Sequence, residues 1–335
     1  MRVLTINKTQ LIITILILLL MIALLLDPNT YMQATLHGIS IWFNNVVPAL
    51  FPFFFLTKLL TSLNVLHHFS SILNTPMSRI FHCPGVSGFV YIMSIISGYP
   101  VGAKLNSELY LNRTISREEL VRINAFTSTS GPLFVIGSVG VGMFYSHTAG
   151  VIILLSHLIG ALLNGLVYRN YHYNRHNRVC SHSISNHTPS MDKLLSESVY
   201  NSIISILVVG AYIALCSVLI EVLVNFHILD ILSYPLVFLL NLFGVDPHLS
   251  TGILTGMVEM TRGCIDLAPI FQHNTTLVTI LATALISFGG ISINLQAITF
   301  LSKCDISIPF YFFQKFTQTI LSIAVCIVLL LLFPI

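Results

Sequence analysis

Charge is what this 335-residue sequence has least of. Asp, Glu, Lys and Arg together make up 8% of it, about a third of the share in an average soluble domain. With 55% hydrophobic residues beside so little charge, a soluble globular domain is excluded and an integral membrane protein is implied. The six cysteines, Cys83, Cys180, Cys216, Cys264, Cys304 and Cys326, include no CxxC pair, and four fall in or beside apolar segments. That pattern argues against both a disulfide framework and a zinc site. Walker, nucleophile-elbow and HExxH motifs are missing, as is any paired acid and base. Neither an enzyme nor a resident cofactor or metal is expected. The net charge of +3 needs no nucleic acid to explain it, because most Lys and Arg lie in short loops, as the positive-inside bias of membrane proteins requires.

What the sequence does have is apolar runs of spanning length, about 20 residues each. The first, "LIITILILLLMIALLL", follows Arg2 and Lys8. It exceeds the roughly 7–15 residues of a signal-peptide core and lacks a small-x-small cleavage site, so it reads as a retained helix. Candidate spans are 9–26, 38–63, 120–144, 148–168, 199–224, 277–301 and 308–333. Segments 86–111 and 249–268 are interrupted by small and polar residues and read as re-entrant hairpins or broken helices. Shorter runs at 72–81 and 228–243 read as interfacial or partial helices. A polar stretch, residues 169–193, divides the chain.

Arg79, Arg113, Arg117, Arg122, Arg169, Arg175, Arg178, Lys193 and Lys303 fall between spans that a cytoplasmic N-terminus leaves inside. With both hairpins entering and leaving on one side, 38–63 and 199–224 run in opposite directions. The halves also match weakly at an offset of 158, which lays "SGYPVGAK" on "TGMVEMTR" and "TSGP" on "SFGG". Gly98 then pairs with Gly256, Lys104 with Arg262, and Gly131 with Gly289. The expected fold is an all-α polytopic membrane protein with an inverted-topology repeat and two re-entrant or broken-helix hairpins. Its expected divisions are a first helix (1–30), a first repeat (36–168), a basic cytoplasmic linker (169–194) and a second repeat (195–335).

Helix breakers inside a bilayer free backbone groups that persist only where protein or a wet cavity buries them. Half-helix N-termini at such breaks carry partial positive charge suited to carboxylates. The stretches "SGYPVGAK", "STSGP" (128–132) and "SFGG" (287–290) are therefore candidate site elements. Lys104 with Glu108 (i,i+4) and Glu259 with Arg262 (i,i+3) each offer an ion pair. They either staple the hairpins or serve a substrate or coupling-ion site, the usual use of intramembrane charge.

Other features are weaker. "GSVGVG" at 137–142 follows no strand and reads as close helix packing. His172, His176, Cys180, His182 and His187 fit no established metal spacing. Pro48 and Pro52 kink a span.

The motifs "PALFPFF" from Pro48, "SGYPVGAKLNSELY" from Ser97, "SGPLFVIGSVGVGMF" from Ser130, "TGMVEMTRG" from Thr255 and "ISFGGISINLQ" from Ile286 carry a resemblance. The chain resembles the nucleoside-recognition (Gate) domain superfamily and, within it, the sporulation integral membrane protein family called YlbJ. Where the family pattern often places asparagine before "SGP", this chain has Thr127, Ser128 and Thr129, so no coordinating role is carried onto them. The resemblance implies a multi-pass protein of the mother cell, in the outer membrane around the forespore, that moves dipicolinate out of the mother cell. Its expected partners are the bilayer and a small anionic substrate, with a homo-oligomer or sporulation membrane partners left open. The candidate substrate site comprises Ser97, Gly98, Tyr99, Lys104, Ser130, Gly131, Arg262, Ser287, Gly289 and Asn294, with Glu259 and Glu108 as candidate coupling groups. Tyr99 or Phe288 would flank a flat ring. A nucleoside-transporting or cation-coupled carrier, and a non-transporting scaffold, remain as alternatives.

Overall fold

The computed structural model of the chain describes residues 8–62, 65–173 and 191–335, and every regular element among them is helical. Helix α1 (Lys8–Leu26) turns into α2 (Pro28–Ile41) at Asp27, whose carboxylate accepts the Thr30 backbone N–H while Pro28 opens the helix. A π-helical turn, Trp42–Val46, joins α2 to α3 (Val47–Ser62), so Pro48 follows a locally widened helix and Pro52 lies inside α3. Helix α4 (Val65–Pro76) runs through a second π turn into α5 (Val86–Ser97), with a bend of 92° between them. The run 72–81 is thus one arm of a bent pair.

The chain breaks at Gly98, resumes as α6 (Val101–Leu111), and passes through the short α7 (Arg117–Asn124). Ser116 and Glu119 close a capping box at the start of α7. The expected single span 120–144 does not form. Helix α7 stops at Asn124, residues 127–131 have no regular structure, and a π-helix continues over Leu133–Met143. Within "TSTSGP", the Ser128 carbonyl and the Ser130 N–H bond to side chains instead. Within "GSVGVG", Gly140 lies against Gly150 of α8 (His147–Tyr168), so close that a methyl on Gly140 would sit 2.6 Å from the Gly150 Cα. That is the packing expected of the motif.

The remainder comprises α9 (Met191–Asn225), α10 (Ile228–Leu242), α11 (Leu249–Val258), α12 (Met260–Phe271), α13 (Thr275–Phe288), α14 (Gly290–Leu301) and α15 (Ile308–Leu332). Helix α9 runs antiparallel to α2 and α3: Gly38 packs on Ala214 and Ser217, and the Trp42 ring covers Gly210 while its Nε1 donates to the Ile206 carbonyl at 2.9 Å. Helices α11 and α12 form a tight antiparallel hairpin, Gly252 against Leu267 and Gly256 against Gly263. The expected span 277–301 corresponds to Thr275–Leu301, long and apolar enough to cross a membrane, with its helix interrupted at Gly289 (φ +86). Among the described residues, five helical segments are long and apolar enough to cross a membrane, or six if the bent pair counts as one.

Polarity is inverted relative to a soluble protein. Phe43, Leu215, Phe238 and Phe316 face outward, whereas Ser94, Asn106, His157, Asn164, Ser287 and Asn294 are fully buried. The chain is a multi-pass membrane protein, with lipid solvating its surface and polar side chains joining its helices inside.

Candidate functional site

Four interruptions of helix meet in the protein interior. At the first, Gly98 adopts φ +73 and a side chain there would collide with the Gly131 nitrogen of the third. Gly102 lies against the Thr127 carbonyl of the same third break. At the second, Glu259 is extended and its carboxylate accepts the Arg262 backbone N–H at 2.7 Å, capping α12. Gly290, at the fourth, packs on the Gly256 carbonyl and the Met260 nitrogen of the second. Each half thus packs its later break onto its earlier one.

The backbone groups freed at these breaks are satisfied by side chains from elsewhere, as burial in protein requires. Asn164 of α8 donates to the Ala125 carbonyl at 2.7 Å, and Gln318 of α15 to the Ser128 carbonyl at 2.9 Å. The Ser130 N–H goes to His157 Nε2 at 2.9 Å, and His157 Nδ1 lies 2.9 Å from the Ser287 hydroxyl, linking the third break to the fourth. Tyr99 donates to the Ile286 carbonyl at 3.2 Å. Asn294 donates to the Phe288 and Gly290 carbonyls and accepts from Tyr311.

Three cavities follow one another along α2, α3 and α9. A cleft of about 350 Å³ at the end where α1 meets α2 is lined by Asn29, His37, Ser217, Glu221 and Arg262, among others. That volume falls within the range of small-molecule sites. Deeper lies a cavity of about 40 Å³ bounded by Gly98, Tyr99, Ser130, Gly131, Glu259 and Gln296. A third, of about 30 Å³, lies toward the opposite end, against Lys58, Lys104, Glu108, Ser202 and Ser205. The first break contributes Gly98 and Tyr99 to the central cavity and Pro100, Val101 and Lys104 to this third one, and the second contributes Glu259, Met260 and Thr261 to the central cavity and Arg262 to the cleft.

The candidate residues therefore divide. Gly98, Tyr99, Ser130, Gly131 and Glu259 gather at the centre. Lys104 and Glu108 lie at one mouth and Arg262 at the other, so the two cations do not converge on one cargo position. Ser97 bonds Thr57 at 2.6 Å, and Ser287, Gly289 and Asn294 shape the fourth break; these four lie at the breaks and line none of the three cavities. Phe288 lines none of the three.

The expected ion pairs also differ. Glu108 lies 3.8 Å from Lys58, and Lys104 donates to Ser205 at 2.7 Å, because α3 and α9 present closer partners than the next turn of α6. The Arg262 side chain pairs with Asp266 at 3.0 Å, while Glu259 is committed to the backbone.

Sequence reasoning overlooked Lys315, Gln318 and His157. A lysine inside the apolar run 308–333 was the available signal. Among the described residues no cluster of three or more metal-ligating side chains occurs; of the linker's His and Cys residues, only His172 is among them.

Over 310 residues the chain is 32% identical to the sporulation integral membrane protein YlbJ of Bacillus subtilis (strain 168), covering 87% of this chain and 75% of that protein. No protein-family model matches the chain, and no solved structure does.

Proposed function

Since the chain belongs to the YlbJ family of sporulation integral membrane proteins, we propose that it is a sporulation membrane transporter for a small aromatic dicarboxylate, dipicolinate. The reading places it in the outer forespore membrane with its N-terminus in the mother-cell cytoplasm and its halves as an inverted repeat of the Gate type. One observation carries it: each of the two breaks matched by the internal repeat lines two of three successive cavities, with Arg262 lining one outer cavity and Lys104 the other. Discontinuous helices in paired repeats are a transporter design.

Arg262 is suited to meet a carboxylate in the cleft, because only its Nε is committed to Asp266 among the described residues. Lys104 meets it at the opposite mouth. The central cavity holds about 40 Å³, well below the roughly 300–1,000 Å³ of a small-molecule site. A cargo with an aromatic ring passes only when one break moves, which is the alternation a carrier needs. Glu259, the charged residue lining that cavity, is the proposed coupling group, with Glu108 at the Lys104 mouth.

The test is dipicolinate flux through proteoliposomes of the purified protein, read by terbium luminescence on the far side. Parent flux is expected. A hydrogen bond to a charged group contributes about 1.5–3 kcal/mol, so Lys104→Ala and Arg262→Ala should each weaken half-saturation roughly ten- to 150-fold. Lys104→Ala should do so from the Lys104 face and Arg262→Ala from the cleft face. No dipicolinate flux in folded parent protein, with uridine or sodium-driven flux in its place, would favour the nucleoside or cation-coupled carrier. No flux of any solute would favour the scaffold.

A further inference from the structure

Lys315 sits in the first third of α15 and is 1% exposed. Its ammonium is surrounded by uncharged oxygens: the Tyr99 hydroxyl and the Ser128 hydroxyl at 3.1 Å each, and Gln318 Oε1 at 3.4 Å. The Tyr99 ring lies under it, 4.9 Å from nitrogen to centroid. Among the described residues no carboxylate lies within 4 Å of it. The three oxygens come from three places: the first break, the third break and α15. Tyr99 extends the set to the fourth break through the Ile286 carbonyl.

A buried ammonium ordinarily finds a carboxylate, because unpaired burial of charge is costly. This one instead has a shell of neutral hydroxyl and amide oxygens. Such a shell is how proteins hold hard monovalent cations, with oxygen dipoles replacing hydration. We propose that the Lys315 ammonium is a resident cation, filling an oxygen cage that would otherwise take a sodium, potassium or ammonium ion from solution. Being tethered, it supplies the charge that holds the first and third breaks on α15 without exchanging with the medium. The cage itself does not depend on the transport reading. Its consequence does: flux should require neither sodium nor potassium.

Purified Lys315→Ala removes the tethered ion and keeps the three oxygens. In choline chloride the variant should melt below the parent. Sodium, potassium or ammonium chloride at equal ionic strength should raise its melting temperature by several degrees with a saturable dose response, as binding to the folded state requires. The parent should melt alike in all four salts. Lys315→Ser, which adds a hydroxyl to the cage, should show the same selective rise and serves if the alanine variant does not fold. A variant indifferent to the three cations, or a parent stabilised by them as strongly, would overturn the proposal. In proteoliposomes the parent should carry dipicolinate in choline medium at its full rate, and a sodium or potassium requirement would likewise overturn it. The melting comparison reads the cage even if the parent carries no dipicolinate at all, so a failed transport reading and a failed cage give different results.

Discussion

Gly102→Ala is expected to abolish function by preventing the first and third breaks from closing on each other. A β-carbon there would collide with the Thr127 carbonyl oxygen and sit 3.0 Å from its carbon, and neither belongs to a side chain that can rotate away. Thr127 is itself fixed, its hydroxyl donating to the Ile123 carbonyl at 3.0 Å and accepting from Asn106 at 2.8 Å. Relief requires the α6 backbone to retreat from the third break. Overpacking costs about 1–3 kcal/mol where side chains can adjust, and this backbone contact belongs at or above the upper end. The control is Gly137→Ala, whose methyl would meet only the Leu133 side chain at 3.6 Å. That change should stay within about 0.5 kcal/mol of the parent. Thermal melting of the two purified variants decides the matter, and a Gly102→Ala protein that melts with the parent would show that the breaks are not held by this contact.

The second large effect is expected at His157. Its Nε2 accepts a backbone N–H from Ser130, so the neutral ring carries its proton on Nδ1 and donates to Ser287. His157→Ala leaves a buried N–H and a buried hydroxyl without partners, at about 1–3 kcal/mol each. It also opens a space between α8 and the two breaks. His157→Gln carries one acceptor and one donor on a shorter reach and should recover part of the loss. His157→Leu fills the space without either hydrogen bond and should not. If leucine were to restore stability as well as glutamine does, packing rather than the hydrogen bonds would be what His157 supplies. Nitrogen chemical shifts of the labelled imidazole test the tautomer directly.

The order in which the architecture became legible follows from which forces are local. Hydropathy over a window of spanning length is a sum over neighbours, so the spans near 148–168, 199–224 and 308–333 match α8, α9 and α15 to within one residue at every end but the start of α9, which begins eight residues earlier. Breakers are local too, and Gly98, Glu259 and Gly289 mark chain interruptions in the motifs that raised the question. The span at 120–144 failed because an apolar window cannot register that Asn164 and Gln318 will donate to the third break's carbonyls, and His157 accept its N–H, from helices distant in sequence. Ion pairing failed for the same reason. Helical spacing put Glu108 beside Lys104, but Lys58 and Ser205 arrive from α3 and α9. Lys315 was legible as an anomaly, a cation within an apolar run, though its cage of oxygens was not.

The polar stripe on α15 also constrains how the molecule is made. Gln314, Lys315, Gln318 and Ser322 are all buried, while Phe313, Phe316, Ile320 and Ile327 face outward. Released alone into lipid, this helix would expose a lysine that costs about 2.5–3.5 kcal/mol even on the lenient insertion scale, plus unpaired amides. Its partners, Val121, Ser128, Asn164 and Tyr99, are all translated earlier. The ribosome thus delivers α15 to a bundle whose docking groove already exists, and membrane integration of this segment becomes a step of tertiary assembly rather than a partitioning event decided one helix at a time.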